Sequence, residues 1–254
     1  MSLKKNYVIL LLLLFLGSSC TRYFIGQPLQ MKPVVVSDTT TAPTTVLSQQ
    51  ISSYLRPYQD SLQAQMNTVL ANSPKRIGKG RPESELGNLF TDLLLQQGQQ
   101  RYGKPIHVML TNNGGLRTDL PAGNITLGQV YELMPFDNAL VVLTLSGPTM
   151  QKAMLYIAQR QEPQSGLRLR FNKMTNQLTE ALVNGQPFDA NRTYTLLTSD
   201  YMATSTDFAT IAKEAQQYEI LNYLMRDALA DGLRQQGQSN QPLNPRLDGR
   251  IIIE

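Results

Sequence analysis

The stretch TNNGGLRTDL, residues 111–120, places two amide side chains, a glycine pair and an arginine on one short segment. Gly114 and Gly115 permit backbone geometries and close approaches that a Cβ resists, so main-chain amides there can face a ligand. Arg117 adds a planar fork matched to a phosphate or a carboxylate. Holding an anion or a nucleotide is the chemistry this set serves, although a tight strand-to-helix connection with a solvated arginine would use the same residues. Groups able to transform what the loop holds are scarce. The chain has one histidine, His107, and one cysteine, Cys20. Metal catalysis needs several ligands around an open position, and nucleophilic catalysis needs a base beside its serine or cysteine. His107 falls in a strand pattern between Ile106 and Val108, where a satisfied surface or half-buried imidazole is a simpler reading than a metal ligand. There is no GxSxG elbow and no P-loop, and no spacing singles out a carboxylate pair among the 19 acidic residues. The expectation is a binding chain with no catalytic residue, metal ligand or cofactor of its own.

The segments that must position this loop alternate between helical and extended patterns. Pro57 suits a first helical position, and Tyr58, Leu62, Met66, Val69 and Leu70 recur at three- to four-residue spacing, which predicts a helix to about Asn72. Leu86, Leu89, Phe90, Leu93 and Leu94 form a second stripe ending before Gly98. PIHVMLTNN reads as a strand running into the glycine loop, and Thr126 with Gln129 has capping-box spacing at the start of TLGQVYELM. NALVVLTLSG is a strand, GPTMQKAMLYIAQRQ a helix with proline near its start, and GLRLRFN a strand. Asn184-Gly185 marks a hairpin turn. RTYTLLTSDYM reads as a strand, a long helix is expected from about Thr210 to Leu233, and GRIIIE closes the chain as a strand. The class is mixed α and β, a single domain whose mixed sheet is covered by helices.

With 254 residues, 41% of them hydrophobic, one sizeable core is the default. MSLKKNYVILLLLLFLGSSC is set apart: Lys4 and Lys5 precede an apolar run from Val8 to Leu16, too short for a span of about 20 residues. Residues 1–19 read as a signal peptide, and Cys20, after Gly17, Ser18 and Ser19, resembles the lipidated first residue of a bacterial lipoprotein. Leu16 stands four residues before the cysteine, where the common pattern has three, and an ordinary cleaved signal is the alternative. Residues 20–49, with the tract SDTTTAPTTV, read as a tether, and residues 50–254 as the folded domain. The expected location is outside the cytoplasm, periplasm-facing or on the cell surface, held to a membrane by the lipid. Setting Lys4 and Lys5 aside leaves 21 basic against 19 acidic side chains without a cluster, so no nucleic-acid partner is expected.

RPESELGNLFTDLLL, TNNGGLR, LGQVYELMPFDNALVVLTLSG, GLRLRFN and YTLLTSDYMATSTDF stand in the order and approximate spacing of the C-terminal domain of the 5'-nucleotidase family, which the chain resembles from about residue 50 onward. In that family an N-terminal two-metal phosphoesterase domain hydrolyses the substrate and the C-terminal α/β domain holds the nucleotide. The resemblance implies that Phe136 and Tyr201 sandwich the base, that Asn112 and Asn138 bond base or sugar, that Asp207 meets the ribose diol, and that Arg81 and Arg117 reach the phosphate. Core packing is the alternative for both aromatics. Glu83 and Asn88 are assigned structural roles at a helix start.

Two departures stand out. The family's Gly-Gly-Asp-Gly turn is here Ser205-Thr206-Asp207-Phe208, and Ile77, with Arg76 beside it, falls where a further arginine is expected. The leading expectation is the nucleoside- or nucleotide-recognition half of a 5'-nucleotidase, working with a separately encoded metallophosphoesterase subunit that would carry the divalent metals. A stand-alone nucleoside- or nucleotide-binding lipoprotein, and a structural or interaction lipoprotein that has lost its ligand, are the alternatives.

Overall fold

The computed structural model describes residues 46–239 and 241–254. The chain divides into two compact units, residues 1–50 and 51–254; the expected signal, Cys20 and most of the tether lie outside the described residues. Helix α1 spans Val46–Met66, and its residues from Ile51 onward belong to the second unit. Then follow β1 (Val69–Ser73), α2 (Glu85–Tyr102), β2 (Val108–Leu110), a 3-10 turn at Asn113–Gly115, β3 (Gly123–Thr126), α3 (Leu127–Leu133), β4 (Ala139–Ser146) and α4 (Gly147–Arg160). The second half holds β5 (Gln164–Ser165), β6 (Leu167–Asn172), β7 (Gln177–Val183), β8 (Gln186–Pro187), β9 (Thr193–Ser199), α5 (Asp200–Ser205), α6 (Ala209–Ala212), β10 (Gln217–Leu224), α7 (Met225–Gln238) and β11 (Ile251–Ile253).

The strands form a central sheet of order β10-β4-β9-β2-β5, a four-stranded sheet β11-β6-β7-β8, and the pair β1-β3. In the central sheet only β2 and β9 run parallel. Side chains alternate across a strand, and here both faces are dry. Met109, Leu140, Val142 and Leu197 join one core with α2, α3 and α7. Val108, Leu110, Val141, Leu143 and Leu196 join the other with α4, α5 and β6. A sheet covered on both faces explains why NALVVLTLSG is apolar throughout rather than alternating.

Several local expectations hold. Thr126 and Gln129 form the reciprocal capping box. Asn184 and Gly185 both take positive φ, 49° and 77°, as the two-residue hairpin turn between β7 and β8 requires. Others are corrected. The first helix starts well before Pro57 and stops at Met66; Asn72 lies in β1, which hydrogen-bonds to β3. Helix α2 runs past Gly98, because that glycine is a contact point rather than a stop: a Cβ there would lie 2.4 Å from Leu197 Cδ2. It ends instead at Gly103, with φ 71°. Tyr201 is helical, since the Ser199 hydroxyl accepts from Met202 N at 3.0 Å and starts α5. The long C-terminal helix is broken, its first part replaced by α6 and β10, because Gln217–Ile220 and Leu224 pair with β4.

Candidate functional site

Strand register brings the expected residues to one end of the central sheet. Strand β2 ends at Leu110 and runs parallel to β9, Met109 opposite Leu197. Strand β4 is antiparallel to β9, with Leu140 opposite Ser199. The exit of β2, the entry of β4 and the exit of β9 therefore share an edge. They deliver Asn112 and Arg117, then Phe136 and Asn138, then Tyr201.

The glycine loop is pinned on every side. Thr111 N donates to Pro163 O at 3.1 Å, Arg117 N to Leu133 O at 2.9 Å, and Gly115 N closes the 3-10 turn onto Asn112 O at 3.0 Å. Beneath it Glu162, 8% exposed, accepts from Asn113 N at 2.6 Å and from Asn113 Nδ2 at 3.0 Å. Burial pushes the Glu162 carboxyl up from its ordinary value, against the opposing pull of the Asn113 bonds and of Arg81 and Arg160. The Asn112 side chain folds back over the glycines. A Cβ on Gly114 would lie 3.2 Å from its Nδ2, and one on Gly115 3.1 Å from its Oδ1. The glycine pair is thus the space that Asn112 occupies.

Arg117 is exposed, donates through Nη1 to Gly114 O at 3.3 Å, and sets its guanidinium carbon 5.9 Å from the Phe136 ring centroid. Phe136 is 37% and Tyr201 44% exposed, so neither is a core residue. The turn carrying Phe136 is itself held by Arg226, which stacks 4.1 Å over the Tyr131 ring and bonds Asp137 at 2.5 Å, and by Met225 N donating to Asn138 O at 2.9 Å.

The remaining expected residues sit differently. Arg81 is exposed, ahead of α2, where its charge acts on Glu162. Asp207 is exposed and ion-paired with Arg160 at the end of α4. Its glycine-free turn closes another way: Phe208 is fully buried against Tyr156, ring centroids 5.3 Å apart, and Thr206 Oγ1 donates to Met202 O at 2.9 Å. Ile77 is fully buried and pairs through its backbone with Leu120, so a charged side chain there would face the core. The neighbouring Arg76 pairs with Asp119. Lys79 Nζ donates to Leu116 O at 3.1 Å and Arg117 O at 3.3 Å, adding a cation beside the loop. Glu83 does not act on the helix dipole alone. It accepts from Asn88 Nδ2 and from the backbone amides of Asp248, Gly249 and Arg250, fastening the C-terminal segment to the start of α2.

Sequence reasoning missed Glu162, Arg226 and Lys79. Each is distant in sequence from the residue it supports, and its type alone gives no signal. Among the described residues no group of three or more His, Cys, Asp or Glu converges to hold a metal ion.

The model of the 5'-nucleotidase C-terminal domain matches residues 64–214, more than half of the sequence. The chain belongs to the 5'-nucleotidase C-terminal domain family. It is 29% identical over 184 residues to the trifunctional nucleotide phosphoesterase protein YfkN of Bacillus subtilis, covering 66% of this chain and 12% of that protein. It is 26% identical to UshA of Escherichia coli over 63% of this chain and 30% of that one. The crystal structure of a 5'-nucleotidase precursor from Thermus thermophilus superposes with a TM-score of 0.67 at 28% identity, over 81% of this chain and 43% of the other. The NAD nucleotidase of Haemophilus influenzae, at 14% identity and TM-score 0.62, shares the fold. The chain spans less than half the length of these relatives. In its own residues this chain carries the loop with Arg117 and the two exposed aromatics at one end of the central sheet.

Proposed function

We propose that this chain is the nucleotide-recognition half of a 5'-nucleotidase, holding a nucleoside or nucleoside monophosphate while a separately encoded metallophosphoesterase supplies the metals and the hydrolysis. The observation that carries the reading is the meeting of Arg117 and Phe136, a phosphate-type cation 5.9 Å from an exposed aromatic ring. A ring stacks on a base with about 1–3 kcal/mol and tolerates base identity, while the guanidinium fork suits an anion. Tyr201 supplies the second face of the base, Asn112 and Asn138 bond base or sugar, and Arg81 extends the cationic side. Membership in a nucleotidase family, and similarity to proteins named as nucleotide phosphoesterase and 5'-nucleotidase, support the same substrate class. Residues 1–19 act as the signal, Cys20 carries the lipid, and residues 20–49 tether the domain to the membrane outside the cytoplasm.

The Arg160–Asp207 ion pair favours one variation: a stand-alone binding lipoprotein whose ribose contact is weakened, since the acid already has a partner. Calorimetric titration with adenosine and AMP, with and without divalent metal, tests both. Metal-independent binding without phosphate release supports recognition, and stimulation of AMP hydrolysis by a co-purified phosphoesterase separates the first reading from the second. No binding at millimolar ligand, alone or with that partner, sinks both.

A further inference from the structure

Arg226 stands in the first turn of α7, where the positive end of the helix dipole disfavours a cation. Its side chain is only 12% exposed, and its Nε is buried and finds no acceptor among the described residues. Both circumstances weigh against folding, since a buried donor left unmet is unfavourable. What the guanidinium holds gives the placement its sense. Its carbon stands 4.1 Å over the Tyr131 ring of α3, and Nη2 donates to Asp137 Oδ1 at 2.5 Å. The Asp137 side chain is 78% exposed, so the pair fastens a surface turn to a cation already packed in place.

That turn is Phe136-Asp137-Asn138, and Met225 N, next to Arg226, holds its far end by donating to Asn138 O at 2.9 Å. Helix α3, on which the guanidinium rests, also carries Leu133, whose carbonyl accepts from Arg117 N at 2.9 Å. One side chain thus joins the start of α7, the helix that anchors the Arg117 backbone, and the turn that presents Phe136. Its two contacts differ in kind, a cation over a ring face and a charge-assisted hydrogen bond, and together they fix the guanidinium plane.

We propose that Arg226 is a positioning residue for the base-stacking ring of Phe136, acting through Asp137 and Tyr131 rather than through the field of its charge at the ligand. The inference rests on the nucleotide reading of this site, and it is tested where position and charge give different signs. Calorimetry on the full-length chain compares adenosine with AMP in Arg226→Gln, in Asp137→Ala, and in each of these combined with Phe136→Ala. Positioning predicts that both single substitutions weaken adenosine and AMP alike, by about fivefold, and that with Phe136→Ala already present neither adds more than about twofold, as contacting residues that act as a unit require. Charge acting through space predicts instead that Arg226→Gln weakens AMP selectively and that Asp137→Ala, which removes a negative charge, tightens it. Asp137 is exposed, so the thermal transition of Asp137→Ala stays at the wild-type value and this variant carries the test even where Arg226→Gln folds poorly. Unchanged adenosine affinity in Asp137→Ala, a selective change in AMP, or losses that add in full to that of Phe136→Ala overturn the proposal and leave the nucleotide reading standing. No loss in Phe136→Ala itself, or no adenosine binding by the unsubstituted chain, removes the stacking reading and this proposal with it.

Discussion

Glu162 Oε2 lies 2.6 Å from the main-chain nitrogen of Asn113, so a single buried carboxylate supports the loop that carries Asn112 and Arg117. Replacing it with alanine leaves the Asn113 amide and side chain without that acceptor, and hydrogen bonds to a charged group contribute about 1.5–3 kcal/mol each. Glu162→Ala is expected to lower stability by about that amount and to weaken nucleotide binding, while Glu162→Gln, which keeps an acceptor oxygen, recovers most of both. Denaturant unfolding beside calorimetry reads the two effects. Because burial holds the native carboxyl above its ordinary value, the folded state keeps the proton more tightly than the unfolded chain. Its contribution to stability is therefore fullest below the ordinary glutamate range and is lost as pH rises through the raised native value. That slope disappears in Glu162→Gln; a wild-type slope of the opposite sign contradicts the assignment.

The two exposed aromatics give a sharper expectation. Phe136→Ala and Tyr201→Ala each weaken nucleoside binding by about 1–3 kcal/mol, with little effect on folding because neither side chain is buried. Unchanged affinity in the double variant removes the base sandwich.

Arg117 and Gly115 separate phosphate from sugar. Arg117→Ala lowers affinity for AMP about tenfold or more while leaving adenosine within about twofold, the pattern of a lost charge-assisted contact. Gly115→Ala sets a methyl 3.1 Å from Asn112 Oδ1 and displaces that side chain, so adenosine and AMP weaken together. Calorimetry with both ligands distinguishes the two outcomes.

His107 is the sole histidine, which makes its titration directly observable. Its Nδ1 accepts from Thr195 N at 3.0 Å, and burial first, then the charge of Arg192, lowers the imidazole from its ordinary value near 6.5. A group depressed in the native state contributes stability that is present above the unfolded value and lost as pH falls through the native one. The single imidazole signal in a heteronuclear NMR titration is expected to move below pH 6.5, and stability to fall over the same range. A midpoint at or above the ordinary value contradicts the geometry.

Much of this architecture was legible because local signals and tertiary packing agree. Thr126 with Gln129 and Asn184 with Gly185 mark a cap and a turn through chemistry contained in a few residues, and both form as read. The order of motifs named Asn112, Arg117, Phe136, Asn138 and Tyr201 as candidates, and strand register carries these five to one end of the sheet. What escaped depends on partners far away in sequence. Ile220 and Leu224 have the four-residue spacing a helix could use, but Gln217–Leu224 finds the open edge of β4, with a break in register around Asn222, whose φ is 48°. The stripe from Tyr58 to Leu70 is read as one helix, but the helix stops at Met66 and Val69 and Leu70 stand in β1, because the chain there finds a partner strand in β3. For Asp207 the resemblance implies a ribose contact; in the structure the neighbouring Phe208 is fully buried and Asp207 pairs with Arg160, neither of which the motif alone shows.

The central sheet also sets how the protein comes apart. Strands β4 and β9 contribute side chains to both cores, so neither core can open without stripping a wall from the other. Amide hydrogens between Leu140–Leu145 and Tyr194–Ser199 are therefore expected to exchange with solvent only through global unfolding, whereas those of β7 and β8 escape through smaller openings. The edge that presents Phe136, Asn138 and Tyr201 is rooted in the slowest-exchanging part of the molecule, so a ligand arriving there meets a surface already set in place.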